Sequence, residues 1–472
     1  MESQARAGRS GRESRRERRG RWGALVVSAL VGLTTLAAGQ AGAEVADDFY
    51  TPPAGYAATA PGTVLDSRPV VAKLLQQFPI DAQAWQLLYR TTDGEGGPYA
   101  AVTTVLMPRG PARPRPLLSF QMAYDALRRE CMPSYSLTHG SLTDLLDTAK
   151  QSGRSTVPSE AALVATALSK GWAVSVPDPG GVEDRFLTPR LMGYTVLDGI
   201  RAAENFAPLG LPGAATRVAG WGYSGGGVAT SWAAEVQPRY APELNAVGFA
   251  IGAPVQDLEA AIHTADGRST VGLVPLGLAS ISKDSPEFAQ RLAPHLTPAG
   301  RDAVELARVS CTATTVGSVR FRRVSDWLEV PVDQLMADPV IRREVEIRKR
   351  GSETPTAPLY VLNGLHDEVS NSPAVDALVD RWCAAGASIT QIRDAVPDSP
   401  MGAHGVVALT GAGGLLAWLD RALTGDGPVQ GPGCTVRTVT STALEPEFAQ
   451  GLPEFASAIL GTLLGQALGA GR

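Results

Sequence analysis

The sequence predicts an α/β protein: a mostly parallel central sheet covered by helices, with an inserted helical cap. Three observations carry this. Apolar runs of strand length alternate with helical patterns through much of the chain, a hairpin pattern precedes them, and about a hundred residues interrupt the alternation without a convincing core strand. Parallel strands need crossovers, usually helical, and are buried on both faces, so they read as continuous apolar runs. An interruption of that length is too long for a loop and reads as a structured insertion. A chain of 472 residues, 44% hydrophobic and 19% charged, is large enough for such a core and insertion.

Taken in order, residues 1–43 form an export signal. Eight arginines and three glutamates crowd residues 1–21, followed by the apolar run Trp22 to Ala38 and by Ala41-Gly42-Ala43 before Glu44. A basic stretch, an apolar stretch and an A-x-A site define such a signal. A membrane anchor fits less well, because Gly23, Ser28, Gly32, Thr34 and Thr35 interrupt a run already short for a bilayer. Pairs such as Arg15-Arg16 arise by crowding and leave the export route open. The expected location is secreted or in the cell envelope.

Without residues 1–43 the chain keeps 34 basic and 44 acidic residues, a net charge of about −10. Nucleic-acid partners demand a basic face, so none is expected. Four cysteines, Cys131, Cys311, Cys383 and Cys434, remain in the exported part and read as two disulfides. No C-x-x-C or H-E-x-x-H pair exists, so no metal is expected, and no cofactor is called for.

Residues 44–84, rich in proline and glycine, read as an extended arm. Trp85–Thr92 and Tyr99–Met107 flank a glycine-rich turn as a hairpin. The core then covers 85–254 and 357–440. Its strands are Pro116–Gln121, Trp172–Pro177, Thr216–Gly222, Asn245–Gly252, Leu359–Asn363 and Ser388–Arg393. Its helices are Ala161–Lys170, Gly193–Phe206, a stretch from near Val228 to Val236, Ala374–Ala385 and Gly405–Leu423. Between them, 255–356 shows only helical patterns, at Gln256–His263, Pro286–Leu292, Arg301–Ala307 and the charged Val332–Arg350, and is the cap. The apolar segment at 441–472 reads as a packing helix in preference to a mobile flap.

Chemistry enters at Gly222-Tyr223-Ser224-Gly225-Gly226, a G-x-S-x-G sequence between a strand and a helix. A serine at the apex of so tight a turn occupies a strained backbone with its hydroxyl raised above the sheet, and small neighbours let strand and helix approach. The following helix directs its positive N-terminal end at a developing oxyanion. In a chain with 51 glycines the pentapeptide alone is also compatible with an ordinary turn, so the rest of the constellation matters.

Such a serine needs a base, and the base an orienting acid, in the order Ser, Asp or Glu, His. Five histidines are available, at 139, 263, 295, 366 and 404. The strand ending Tyr360-Val361-Leu362-Asn363-Gly364 places Asp367 at its turn, with Glu368 as a rival acid and His366 as a bystander. Downstream of Asp367 only His404 remains, in the turn Gly402-Ala403-His404-Gly405 before the last core helix. The second oxyanion donor belongs after the strand ending at Gln121, where a backbone N–H of Asp125 or its neighbour serves beside Gly225.

The ordered motifs Asp48-Phe49-Tyr50-Thr51-Pro52-Pro53, Tyr124-Asp125, Cys131-Met132-Pro133-Ser134-Tyr135, the elbow, Gly364-Leu365-His366-Asp367 and the late His404 together resemble the secretory lipase family typified by Candida lipase A. The likeness spans Phe49 to Cys434. It implies an α/β-hydrolase fold with a helical cap, a triad of Ser224, Asp367 and His404, and an oxyanion hole of the Asp125 and Gly225 amides. It also implies the pairs Cys131–Cys311 and Cys383–Cys434. The chain departs from the family's usual serine after Tyr-Asp, having Ala126, and from its proline after Asp-x-Val, having Ser370. The expected activity is hydrolysis of acylglycerols or other carboxylic esters through an acyl-enzyme on Ser224, with transient contact with a lipid interface. An acyltransferase or peptidase on the same fold, and an inactive exported binding protein, are the alternatives.

Overall fold

A computed structural model of the chain describes residues 47–110, 113–140, 155–398, 402–425 and 433–469. The export signal read over 1–43 lies outside the described residues.

Ten strands form one twisted sheet. In chain order they are β1 (Val64–Pro69), β4 (Ala82–Thr92), β5 (Pro98–Pro108), β6 (Leu117–Gln121), β7 (Ala173–Pro177), β8 (Val218–Tyr223), β9 (Ala246–Gly252), β10 (Leu359–Gly364), β11 (Ile389–Asp394) and β12 (Cys434–Val439); β2 (Lys73–Leu74) and β3 (Phe78–Pro79) pair separately. The order across the sheet is β1-β4-β5-β7-β6-β8-β9-β10-β11-β12. Antiparallel pairing runs from β1 to β7, and parallel pairing from β7 to β12. The central strands β6, β7 and β10 are buried at every residue, as parallel strands covered on both faces must be.

The covering helices are α1 (Val157–Ser169), α2 (Leu191–Asn205), α3 (Gly225–Tyr240), α11 (Ser372–Ala384), α12 (Ala403–Thr424) and α13 (Pro446–Leu463). Between β9 and β10 lie α4 (Leu258–Ala265), α5 (Leu273–Asp284), α6 (Pro286–Leu292), α7 (Pro298–Val309), α8 (Thr312–Ser318), α9 (Val332–Leu335) and α10 (Pro339–Glu346). These share an apolar cluster of their own, including Val271, Phe288, Trp327, Met336 and Ile341. The central sheet and its helices build the larger core around Phe120, Trp172, Trp221 and Trp418.

Four expectations are corrected. The arm at 44–84 contributes Val64–Pro69 as an edge strand paired with β4; its residues are half-buried or exposed, so no apolar run marks it in the sequence. Cys434–Val439, placed in the core without being named as a strand, pairs with β11 as the opposite edge. The helical pattern over Val332–Arg350 is two helices. Pro339 starts the second, where its missing N–H costs nothing, and Asp338 accepts hydrogen bonds from Val340 and Ile341. Helix α5 escaped notice because Pro275 and Gly277 punctuate a nearly all-apolar run; Pro275 sits in its first turn, where proline is tolerated. The apolar segment near the C-terminus is helix α13, packed along α12 and α1.

Candidate active site

Strand β8 is paired along its length with β6 and β9, and Ser224 is the residue that leaves it. Its backbone sits at φ 55, ψ −123, a region that non-glycine residues avoid. Its N–H donates to Gly252 O at the end of β9 (2.9 Å), so the turn is strapped to the sheet. A Cβ on Gly222 would lie 2.3 Å from Gly226 O, and one on Gly226 1.9 Å from Gln121 O, so only glycine lets α3 return this closely across β6.

Ser224 Oγ lies 2.9 Å from His404 Nε2. His404 Nδ1 lies 3.0 and 2.8 Å from the two oxygens of Asp367. Asp367 is held in turn by the N–H groups of Val369 (2.8 Å) and Ser370 (2.7 Å), and Ser370 Oγ donates to Pro254 O (2.8 Å). The structure therefore brings Ser224, His404 and Asp367 into one hydrogen-bonded row from two strand ends and the first turn of a helix. The rival acid Glu368 faces elsewhere: Oε2 accepts from the backbone N–H of His404 (3.2 Å). His366 is exposed and outside the row. His404 does not sit in a turn ahead of the helix, as the sequence suggested. It belongs to the first turn of α12, whose start is two residues earlier, and Tyr223 donates its hydroxyl to His404 O (2.8 Å).

Burial is the largest single influence on the His404 imidazole and lowers its pKa. The Asp367 charge and hydrogen bond, with help from Glu368 and Asp125, more than offset it and leave the pKa raised. An imidazolium formed here is thereby stabilised.

Asp125 and Gly225 also converge. Asp125 takes φ 35, another conformation that a side chain disfavours, and is buried. A Cβ on Gly225 would lie 1.7 Å from Asp125 Oδ1, so the carboxyl leans directly over the first residue of α3. That oxygen has no hydrogen-bond partner, and burial pushes the carboxyl up to about 6, with the His404 charge opposing. Nearby, Glu160 receives the Ala123 N–H (3.1 Å) and is pushed up by burial to about 8.

Two further features complete the site. Thr312 Oγ1, at the start of α8, lies 2.8 Å from Tyr124 O and 2.6 Å from Asp125 O, gripping the loop from the cap side. Nothing in a lone threonine signals that. The second is an open apolar cavity in which Asp125 is the only polar lining side chain among the described residues. It runs from Gly225 and Val228 between helices of the insertion, past Leu258, Phe288, Leu335 and Ile341.

Disulfides join Cys131 to Cys311 and Cys383 to Cys434. The first anchors the insertion one residue from Thr312; the second ties α11 to edge strand β12. Among the described residues, the one group of possible metal ligands is Glu259, His263 and Asp333 on the surface, away from the row.

A profile of the secretory lipase family matches residues 148–431. A "probable inactive lipase" of Mycobacterium tuberculosis is 39% identical over 74% of this chain and 76% of its own. Lipase A of Arthroderma benhamiae is 35% identical over 85% of this chain and 83% of its own. Candida antarctica lipase A in its closed state superposes with a TM-score of 0.72 at 26% identity, covering 87% of this chain and 94% of that one. The fold is that of the α/β-hydrolases. With its elbow serine, its ordered motifs and these likenesses together, the chain belongs to the secretory lipase family.

Proposed function

We propose that the protein is an exported serine ester hydrolase acting on lipid esters, with Ser224, His404 and Asp367 as its triad. One observation carries the reading: a strained elbow serine whose Oγ lies 2.9 Å from an imidazole that is itself bound to a buried carboxylate. His404 Nε2 takes the proton as Ser224 Oγ attacks the ester carbonyl, then gives it to the leaving alcohol. Water repeats the sequence on the acyl-enzyme. Asp367 fixes the tautomer and stabilises the imidazolium. The amides of Gly225 and Asp125 receive the oxyanion, each donor being worth about 3 kcal/mol.

The apolar cavity supports a fatty acyl chain as the group carried on Ser224, since it begins at Gly225 and is walled by aliphatic and aromatic side chains. In this reading 255–356 is the cap, 85–254 with 357–440 the catalytic core, 44–84 an arm and 441–472 a packing segment. Residues 1–43 direct export, in keeping with a family of secretory enzymes and with two disulfides.

A relative named as inactive favours one alternative, a hydrolase fold that no longer turns over. Labelling with a fluorophosphonate separates the two. The wild type is expected to react at Ser224 and to hydrolyse a chain-length series of nitrophenyl and glycerol esters. An unlabelled, folded protein would sink the hydrolase reading.

A further inference from the structure

The cap carries an exposed aromatic residue set among arginines: Arg320-Phe321-Arg322-Arg323. Phe321 is 67% exposed and takes φ 63, which a bulky side chain strongly disfavours. The backbone around it is fixed. Phe321 N–H donates to Arg268 O (3.0 Å), Gly267 N–H to Arg322 O (3.1 Å) and Arg322 N–H to Val319 O (3.2 Å), while Val319 packs on the cap's own core. A large apolar ring is thus held out in water by an ordered clasp at a cost in backbone strain. Such strain persists where the surroundings over-determine it, often at sites that bind.

Charge sorts the arginines. Arg323 pairs with Asp266 (3.1 Å) and its N–H meets the Asp326 carboxylate, and Arg268 pairs with Asp398. Arg320 and Arg322 are exposed and have no ion-pair partner among the described residues. They are uncompensated positive charges on a chain whose net charge is −5. The clasp also has a position. Arg268 and Asp398 line a depression shared with Leu365, His366 and Asp367, so it stands beside the turn that carries the triad's acid.

We propose that the clasp at 319–323 docks the protein on an anionic lipid surface. Phe321 enters the boundary between headgroups and acyl chains, and Arg320 and Arg322 meet the headgroup anions with their stems lying along the apolar layer. This rests on the lipid-ester reading only for its purpose, which is to set the active-site turn beside the lipid.

Sedimentation with vesicles of phosphatidylcholine, with and without phosphatidylglycerol, tests it on the full exported chain. Wild type is expected to partition onto the anionic vesicles, less so at high salt. The double variant Arg320→Gln/Arg322→Gln should bind about thirtyfold more weakly, at roughly fivefold per arginine lost. Phe321→Ser should weaken binding with less dependence on salt. All variants should hydrolyse a soluble short-chain ester at the wild-type rate, which shows that they are folded. Equal partition of wild type and variants, or equal binding to neutral and anionic vesicles, overturns the proposal. So does self-association of the wild type that the variants lose, which would make a second copy of this chain the occupant. Loss of ester hydrolysis in every form, with partition intact, would count against the enzyme reading instead.

Discussion

The elbow end of the sheet and the helical insertion meet at Asp125 and Gly225, but different physics holds each of them there. On the sheet side the restraint is main-chain hydrogen bonding: β8 is laddered to β6 and β9, and Ser224 N–H is tied to Gly252 O. On the insertion side the restraint is a set of side-chain links. These are the Cys131–Cys311 bond, the Thr312 hydroxyl, and Asp284 receiving Thr188 (2.8 Å). Backbone ladders fix atoms regardless of residue type, so the elbow tolerates changes except at its glycines and its reacting groups. Side-chain links are individually removable, which makes the insertion the part whose grip on the site can be tuned.

The largest effect is expected on the sheet side. Ser224→Ala and His404→Ala should each lower kcat on soluble esters by roughly 10⁴-fold or more, and the double variant little further, because triad members act as a unit. Thermal unfolding should change little for either. Residual activity above about a thousandth of wild type would mean a different nucleophile. Asp367→Asn should also be severe, whereas Glu368→Gln, which keeps an oxygen for the His404 N–H, should be mild; the reverse order would reassign the acid.

Breaking the insertion's covalent link tests the other side. Replacing Cys131 and Cys311 together by serine opens a closure 180 residues long, which the chain-entropy model values at about 5 kcal/mol. Denaturant unfolding should register most of that, and kcat should fall while the triad row stays intact to phosphonate labelling. A variant that loses labelling altogether would show that the cap link holds the elbow itself.

Asp125 lies at the seam. Its buried carboxyl is raised to about 6, so the folded state favours the protonated form. Any stability that depends on that proton is complete below the ordinary carboxylate range and is lost as pH rises towards and through about 6. Asp125→Asn should therefore gain stability over wild type by roughly 2–3 kcal/mol at pH 8 and almost none at pH 4, at 1.36 kcal/mol per pKa unit. Parallel urea titrations at the two pH values check it, and a gain independent of pH would refute the titration.

The smallest effect should come from Thr312→Val, which removes one hydroxyl from two carbonyls of the loop. We expect a fall in kcat of about fivefold with KM nearly unchanged, in line with a net hydrogen bond of about 1 kcal/mol acting on the proposed oxyanion donors. Thr312→Ser should restore the rate. A change in KM alone would place Thr312 in substrate binding.

Much of this molecule follows from local pattern. Apolar runs long enough for one strand marked β6 to β11, since burial on both faces leaves no polar alternation to confuse. The two edge strands β1 and β12 lacked that signal because nearly all of their residues stay exposed or half-buried. In the insertion, Pro275 and Pro339 obscured α5 and the break before α10, both of which depend on where a proline falls within a turn.

Ser224 and His404 of the hydrogen-bonded row, and the acidic turn that supplies its third member, could be named from chain order and strand context. A tight turn after a strand, an acidic turn after a later strand and one remaining histidine downstream are covalent facts of a single chain. Tertiary structure decided what no stretch of sequence contains: that Asp367 and not Glu368 faces the imidazole, that the Asp125 carboxyl lies over Gly225, that Thr312 reaches its loop from 187 residues away, and that helices of the insertion enclose an apolar cavity. Local pattern records how each segment meets water and its neighbours in the chain. Contacts between distant segments depend on the packed arrangement of all of them, and that arrangement exists only once the fold is closed.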